Sequence, residues 1–161
     1  MTIQEPYDFM RFRNEYEFTT SNEIEYVVVF SDGAFLFANL PNHIPVFEVS
    51  ISVVSLGKNL SPPHDLRAEA TFIQIFQDFL IEHQNSIVYV CDTKDNKQGA
   101  RHRKFDMWFN RNESIDIEKH DTNFIVGELT IYASLIIHVL NPFKESMINI
   151  FNNQKKEYDK D

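Results

Sequence analysis

Between Leu66 and Glu82, Phe72, Ile75, Phe76, Phe79 and Leu80 recur at helical spacing, and Ile73 and Ile81 widen the apolar sector beyond one face. A helix of this kind needs cover on more than one side, from its own chain or from a partner. Asp65 stands where its N-cap belongs, and Glu69 falls in its first turns. What surrounds this helix in the sequence decides the fold class, because most of it reads as strand.

Tyr16 and Phe18 alternate with polar residues within Glu15 to Thr20, and Ser21-Asn22 signals a tight turn. From Ile24 to Phe30, Ile24, Tyr26, Val28 and Phe30 share one face, so the two runs predict a hairpin. Phe35-Leu36-Phe37 reads as a short strand, stopped before Pro41. Val46 to Leu56 alternates, with Phe47, Val49, Ile51 and Val53 opposing Val46, Glu48, Ser50 and Ser52. Ile87 to Cys91 is almost continuously apolar, as an interior strand is. A second helix is expected from about Lys97 to Asn110. Strands follow over Ser114 to Glu118 and Phe124 to Leu140, the second bent at a Gly127 bulge. A last helix runs from Pro142 to about Asn153. The order predicts a single α+β domain over residues 1–153, with a charged, frayed tail over 154–161. Its sheet is mixed or mostly antiparallel, of about six strands, with two main helices and a C-terminal one.

At 161 residues such a domain can bury a core without a disulfide or a metal. Fifteen phenylalanines predict an aromatic core or an aromatic surface shared with a partner. Cys91 is the only cysteine, which excludes an internal disulfide and a cysteine-based zinc site. The net charge of −9 argues against non-specific attraction to nucleic acid or to an anionic membrane. Met1 to Tyr7 lacks the basic-then-apolar pattern of a signal peptide, and the longest apolar run is broken by Ser134 and His138. A cytoplasmic location is therefore expected.

Charge, backbone geometry and burial converge at Val88 to Phe109, where an apolar strand enters an acidic turn that opens a basic helix. A helix start after a strand is an anion site, but Asp92 and Asp95 can supply that anion themselves. Asp95 or Asn96 suits the N-cap. Phe105, Trp108 and Phe109 mark the buried face, and Arg101 and Gln98 share its sector one and two turns back. A guanidinium turned toward a core must find partners, and Asp92 and Asp65 are the ones expected. The plain reading is a pair that pins the helix to the sheet; the functional one is an arginine that holds a carboxylate or phosphate of a ligand. Lys97, Lys104 and Arg111 recur every seven residues as a stripe beside that face. Residues 94–111 hold six lysines and arginines against two aspartates, a net +4 on an acidic chain. The stripe is either a solvated face or a docking patch, and no aromatic interleaves it for nucleic acid to stack on.

His102 lies one turn from Phe105 and joins the candidate site residues. No two of the six histidines share ligand spacing on one element, and the lysines beside Asp65, Asp92 and Asp95 disfavour a divalent cation, so no metal is expected. No cofactor is expected either, since the chain has no G-x-S-x-G, no P-loop and no G-x-G-x-x-G. Cys91 reads as a small core residue, although a helix start nearby can activate a thiol.

Tyr16-Glu17-Phe18-Thr19-Thr20, Asp65-Leu66-Arg67 with Thr71, and Val90-Cys91-Asp92 with Asp95, Arg101, Phe105 and Trp108-Phe109 resemble a bacterial family classed only as a domain of unknown function. The resemblance spans Tyr16 to Leu140 and implies no activity. The order of elements is also similar to the core of GNAT-type N-acetyltransferases. In that family the loop before the central helix carries a glycine-rich pyrophosphate motif. Here the loop is Gly57-Lys58-Asn59-Leu60-Ser61-Pro62-Pro63-His64, with one glycine and two prolines that offer no N–H to a phosphate.

Two functional expectations follow. The first is a non-enzymatic interaction module that uses the basic helix (94–111) and an aromatic surface to contact a macromolecule, a protein rather than nucleic acid or membrane, with a homodimer as the second option. The other is a divergent acetyltransferase-like enzyme or small-anion binder with a site near Asp65, Asp92 and Arg101.

Overall fold

The structure is a computed structural model that describes residues 4–91 and 93–158, with side chains described to Gln154. Seven strands form one sheet: β1 Met10–Phe12, β2 Glu15–Thr19, β3 Glu25–Asp32, β4 Val46–Ser55, β5 Ser86–Val90, β6 Ile117–Val126 and β7 Leu129–His138. Three helices accompany them: α1 Leu66–Phe79, α2 Gln98–Arg111 and α3 Lys144–Tyr158. The spatial order is β1-β2-β3-β4-β5-β7-β6. Every neighbouring pair is antiparallel except β4 and β5, which α1 connects in parallel. That pair meets only over Val46–Ser86, Phe47–Ile87 and Glu48–Val88, so β4 continues beyond Glu48 with β3 as its sole strand neighbour.

The fold is the expected α+β domain. Asp65 caps α1, accepting from the backbone N–H of Arg67 at 2.9 Å and of Ala68 at 3.2 Å. The wide apolar sector of α1 is covered within one chain. Phe72, Ile73, Phe76 and Phe79 pack on Tyr16, Phe18, Val28, Phe30, Val49 and Ile87 of the sheet and on Phe105 and Trp108 of α2. The segment before β1 crosses it as well, where the Tyr7 N–H donates to Thr71 Oγ1 at 2.8 Å. Rings stack through this layer, Phe30 on Phe79 with centroids 4.0 Å apart and Phe72 on Trp108 at 4.7 Å. The phenylalanines are thus mostly spent on core. On the opposite face α3 sets Met147 and Phe151 against Val88, Ala133, Leu135 and Ile137, with Phe37 and Ile44 beside them.

Several expected elements are corrected. Residues 34–36 form a 3-10 turn rather than a strand, and it drops Phe37 into the second core. β1 has no counterpart in the expectation, because its three residues are exposed and show no alternation. The expected strand from Phe124 to Leu140 is two strands. Gly127 is not a bulge but the first residue of a two-residue hairpin turn, at φ +62°, between the paired Val126 and Leu129. Lys119 to Asn123, left between two expected strands, is the middle of β6. α3 continues to Tyr158, past the expected end near Asn153, and takes in part of the segment expected as a tail.

Candidate functional site

Helix α2 follows an acidic turn in which Asn96 holds φ +58°. Neither Asp95 nor Asn96 is the N-cap. Lys97 takes that position without a side-chain bond, while Asp95 Oδ1 accepts from the Lys97 N–H at 3.1 Å. Arg101 does not turn toward the core. Its Nη1 and Nη2 donate to the two oxygens of Asp95 at 2.7 and 2.5 Å, a fork pair on the surface. These bonds hold the Asp95 carboxyl well below the usual carboxylate range. Asp65 is not the partner of Arg101, because both its oxygens serve elsewhere: Oδ1 caps α1 and Oδ2 accepts the Tyr7 hydroxyl at 2.7 Å. Asp92 lies outside the described residues.

Gln98 and His102 point inward. Gln98 Nε2 donates to the Thr130 carbonyl at 3.0 Å, and its buried Oε1 has no partner among the described residues. His102 stacks on Tyr132 at 4.9 Å, and its Nε2 lies 3.4 Å from Asp106. Lys119 of β6 sets its ammonium between Asp106 of α2 and Asp121, reaching both Asp121 oxygens at 2.7 Å. Ser134 donates to Asp121 at 2.6 Å. His102, Asp106 and Asp121 have ligand atoms within 4.8 Å of one another, the donor set a divalent cation takes, but the lysine ammonium holds the place between the two carboxylates. The cluster therefore fastens α2 to the β6–β7 hairpin. Sequence reasoning missed Lys119 and Asp121 because they fall between the two strands it expected. Their one signal is that β6 alternates: Lys119 and Asp121 meet α2, while Glu118 meets Lys144 of α3 at 2.6 Å on the other face.

Cys91 is buried, and burial pushes its thiol up to about 11. This matches the small core residue rather than the nucleophile.

The expected stripe divides. Arg111 crosses to α1, where Nη1 donates to Glu69, a buried carboxylate that His64 also approaches at 3.4 Å. Lys97 and Lys104 remain exposed, joined by Arg103 and Met107 on the outward side of α2. Among the described residues, none of these three cations meets a carboxylate, whereas Arg101, Arg111, Lys119 and Lys144 each do. Phe105 and Trp108, behind them, are buried, so the helix presents charge outward and its rings inward.

Where α2 passes the start of α1 there is a pocket of about 210 Å³, lined among others by Tyr26, His64, Glu69, Phe72, Lys104 and Trp108. The indole N–H of Trp108 is buried and has no hydrogen-bond partner among the described residues. The adjoining helix start offers an anion little, since the Asp65 carboxylate already takes the N–H groups of Arg67 and Ala68.

Among the described residues no helix is long and apolar enough to cross a membrane. No curated protein matches the chain in sequence. Residues 64–153, from the start of α1 through the pocket, the Lys119 cluster and most of α3, match one family model, and on that match the chain belongs to the family of unknown function DUF6169.

Proposed function

We propose that the protein is a non-enzymatic interaction module of the bacterial cytoplasm, which docks an acidic protein surface on the outward side of α2. One observation carries this reading: Lys97, Arg103 and Lys104 lie exposed on one helix and meet no carboxylate among the described residues, in a chain of net charge −9. The helix beneath is fastened to α1 through Glu69 and to β6 through Lys119, so the backbone that carries these charges is anchored at both contacts. Nucleic acid is the poorer fit, because the large apolar side chain exposed beside Arg103 and Lys104 is Met107 and not a ring on which a base could stack.

The test is binding of a labelled oligoglutamate peptide, followed by fluorescence polarisation. The wild type should bind at about 0.01 M salt and lose binding at about 1 M, where the Debye length has fallen to about 3 Å. The Lys97→Glu/Arg103→Glu/Lys104→Glu variant should not bind. Equal binding by the variant, or a preference for a single-stranded oligonucleotide, would overturn the reading.

The second reading, an acetyltransferase-like enzyme or small-anion binder, has the parallel β4–α1–β5 crossover in its favour, together with the pocket beside Asp65. Against it stand the prolines of the loop before α1 and the occupied N–H groups behind them. Trp108 is the single tryptophan, so its fluorescence reports on that pocket. A saturable change on adding acetyl-CoA would favour this reading over the first.

A further inference from the structure

Strands β1 to β4 have two unlike faces. Tyr16, Phe18, Val28, Phe30 and Val49 go under α1. The cover on the opposite face is partial: α3 and the residue 34–44 segment pack on β5, β7 and Val46. The register sets what the rest of that face carries. Met10, Glu17, Val27 and Ser52 form one row across the strands, and Phe12, Glu15, Val29 and Ser50 form the next. Thr19 and Glu25 pair beyond them, and Glu48 pairs with Ser31 at the other end.

An antiparallel sheet commonly leaves one face to water. Such a face kept for solubility carries both signs interspersed. This one does not. Arg11 is the only base in the four strands, and it turns to the other side to meet Asp78 at 3.0 Å. Glu15, Glu17, Glu25 and Glu48 have no ion-pair partner among the described residues. Between the carboxylates lie apolar groups, with Met10 and Phe12 each 71% exposed and Val54 59%. Met10, Glu17, Thr19, Glu25, Val27 and Val54 line a recess of about 410 Å³. Arg13 borders this surface, over the Phe12 ring.

The half-sheet is therefore acidic and apolar, and the outward side of α2 is basic and carries the exposed Met107. They are complementary in charge, and both offer apolar side chains, Met107 lying one turn beyond Arg103 and Lys104. They also lie on opposite sides of the one sheet, so they cannot meet within a chain.

We infer that the partner of α2 is a second copy of this chain: the bare acidic half-sheet of one copy seats the α2 of the next. The inference rests on the reading of α2 as a docking face, and it names the partner. The interface joins two different surfaces, so it is heterologous, and each added copy leaves one surface of each kind free. Association then grows with concentration instead of stopping at a dimer. It is strongest at low ionic strength, because both surfaces are exposed.

Sedimentation velocity tests it with two variants, Lys97→Glu/Lys104→Glu on α2 and Glu15→Lys/Glu17→Lys on the half-sheet. The wild type should form species larger than a dimer at about 0.01 M salt and revert to monomer at about 1 M. Each variant alone should stay monomeric at low salt. An equal mixture should associate again, because the acidic α2 of the first then faces the basic half-sheet of the second. That rescue also shows that both variants are folded. A monomeric wild type at low salt, association that survives either charge reversal, or a mixture that stays monomeric would overturn the inference. In those cases oligoglutamate binding separates the two ideas. If the wild type binds it through Lys97, Arg103 and Lys104, the docking face stands and the second copy is the wrong partner; without that binding both fall.

Discussion

Arg111 and Glu69 join the end of α2 to the start of α1: one guanidinium nitrogen donates to both carboxylate oxygens, at 2.8 and 3.0 Å. The partners are unequal. The Arg111 side chain is 38% exposed and that of Glu69 only 7%, so the carboxylate depends on the arginine more than the reverse.

This inequality predicts unequal mutants. Arg111→Met leaves a buried carboxylate without its strong donor and should cost about 1–3 kcal/mol in urea unfolding. Glu69→Gln should cost less, because a neutral acceptor remains and the arginine can turn to solvent. Glu69→Leu/Arg111→Met should recover part of the loss, since replacing both members of a pair removes the unmet group. A double variant less stable than Arg111→Met alone would show that Glu69 is held by something else.

Cys91 should behave as an inert thiol. It is 1% exposed, with its pKa pushed up to about 11 by burial. A disulfide reagent at neutral pH should modify it no faster than the protein opens, and at once in denaturant. Rapid native-state labelling would contradict the burial.

His138 makes stability depend on pH in a stated direction. Desolvation, and then the His83 ring stacked on it at 3.7 Å, hold its pKa below the ordinary value of 6.5. In that window the unfolded chain binds the proton more readily than the folded one, so stability falls as pH drops below about 6.5 and levels off beneath the folded pKa. The carboxylates act lower down. Lys144 lowers Glu118, and bonds from Lys119 and Ser134 lower Asp121 against the opposing effect of its burial. Their stabilisation is complete above the ordinary values of 4.5 and 3.8, and is lost as pH falls through the depressed ones. Thermal melts across the pH range should show both stages, and His138→Gln should remove the upper one. A His138→Gln profile identical to wild type would assign that stage to another group.

What was legible in the sequence was local. The apolar spacing over 72–80 located α1, Asp65 marked its cap, and Phe105 and Trp108 marked the inner side of α2. Alternation located β2, β3 and β4. β6 was hidden for a physical reason: it is an edge strand with charges on both faces, Glu118 toward Lys144 and Lys119 toward Asp106, so its period is one of partners and not of hydrophobicity.

Arg101 shows the same boundary at the level of a site. Helical spacing placed it in the sector of the buried rings, yet its long side chain turns back to Asp95 at the helix start. Periodicity reports where a Cα faces, whereas a flexible chain carrying a charge goes to its nearest strong acceptor. The family's model begins at His64, but what covers α1 comes largely from strands before it. The residues alone carry α1, α2, the strands β2 to β5, the buried sides of the two main helices and the acidic balance. Which charges pair, the seat of Lys119 between Asp106 and Asp121, and the exposed acidic half-sheet opposite α1 emerge with the assembled fold. Periods arise from each element's own burial, but pairings across 13 to 42 residues exist only once the strand order brings their carriers together.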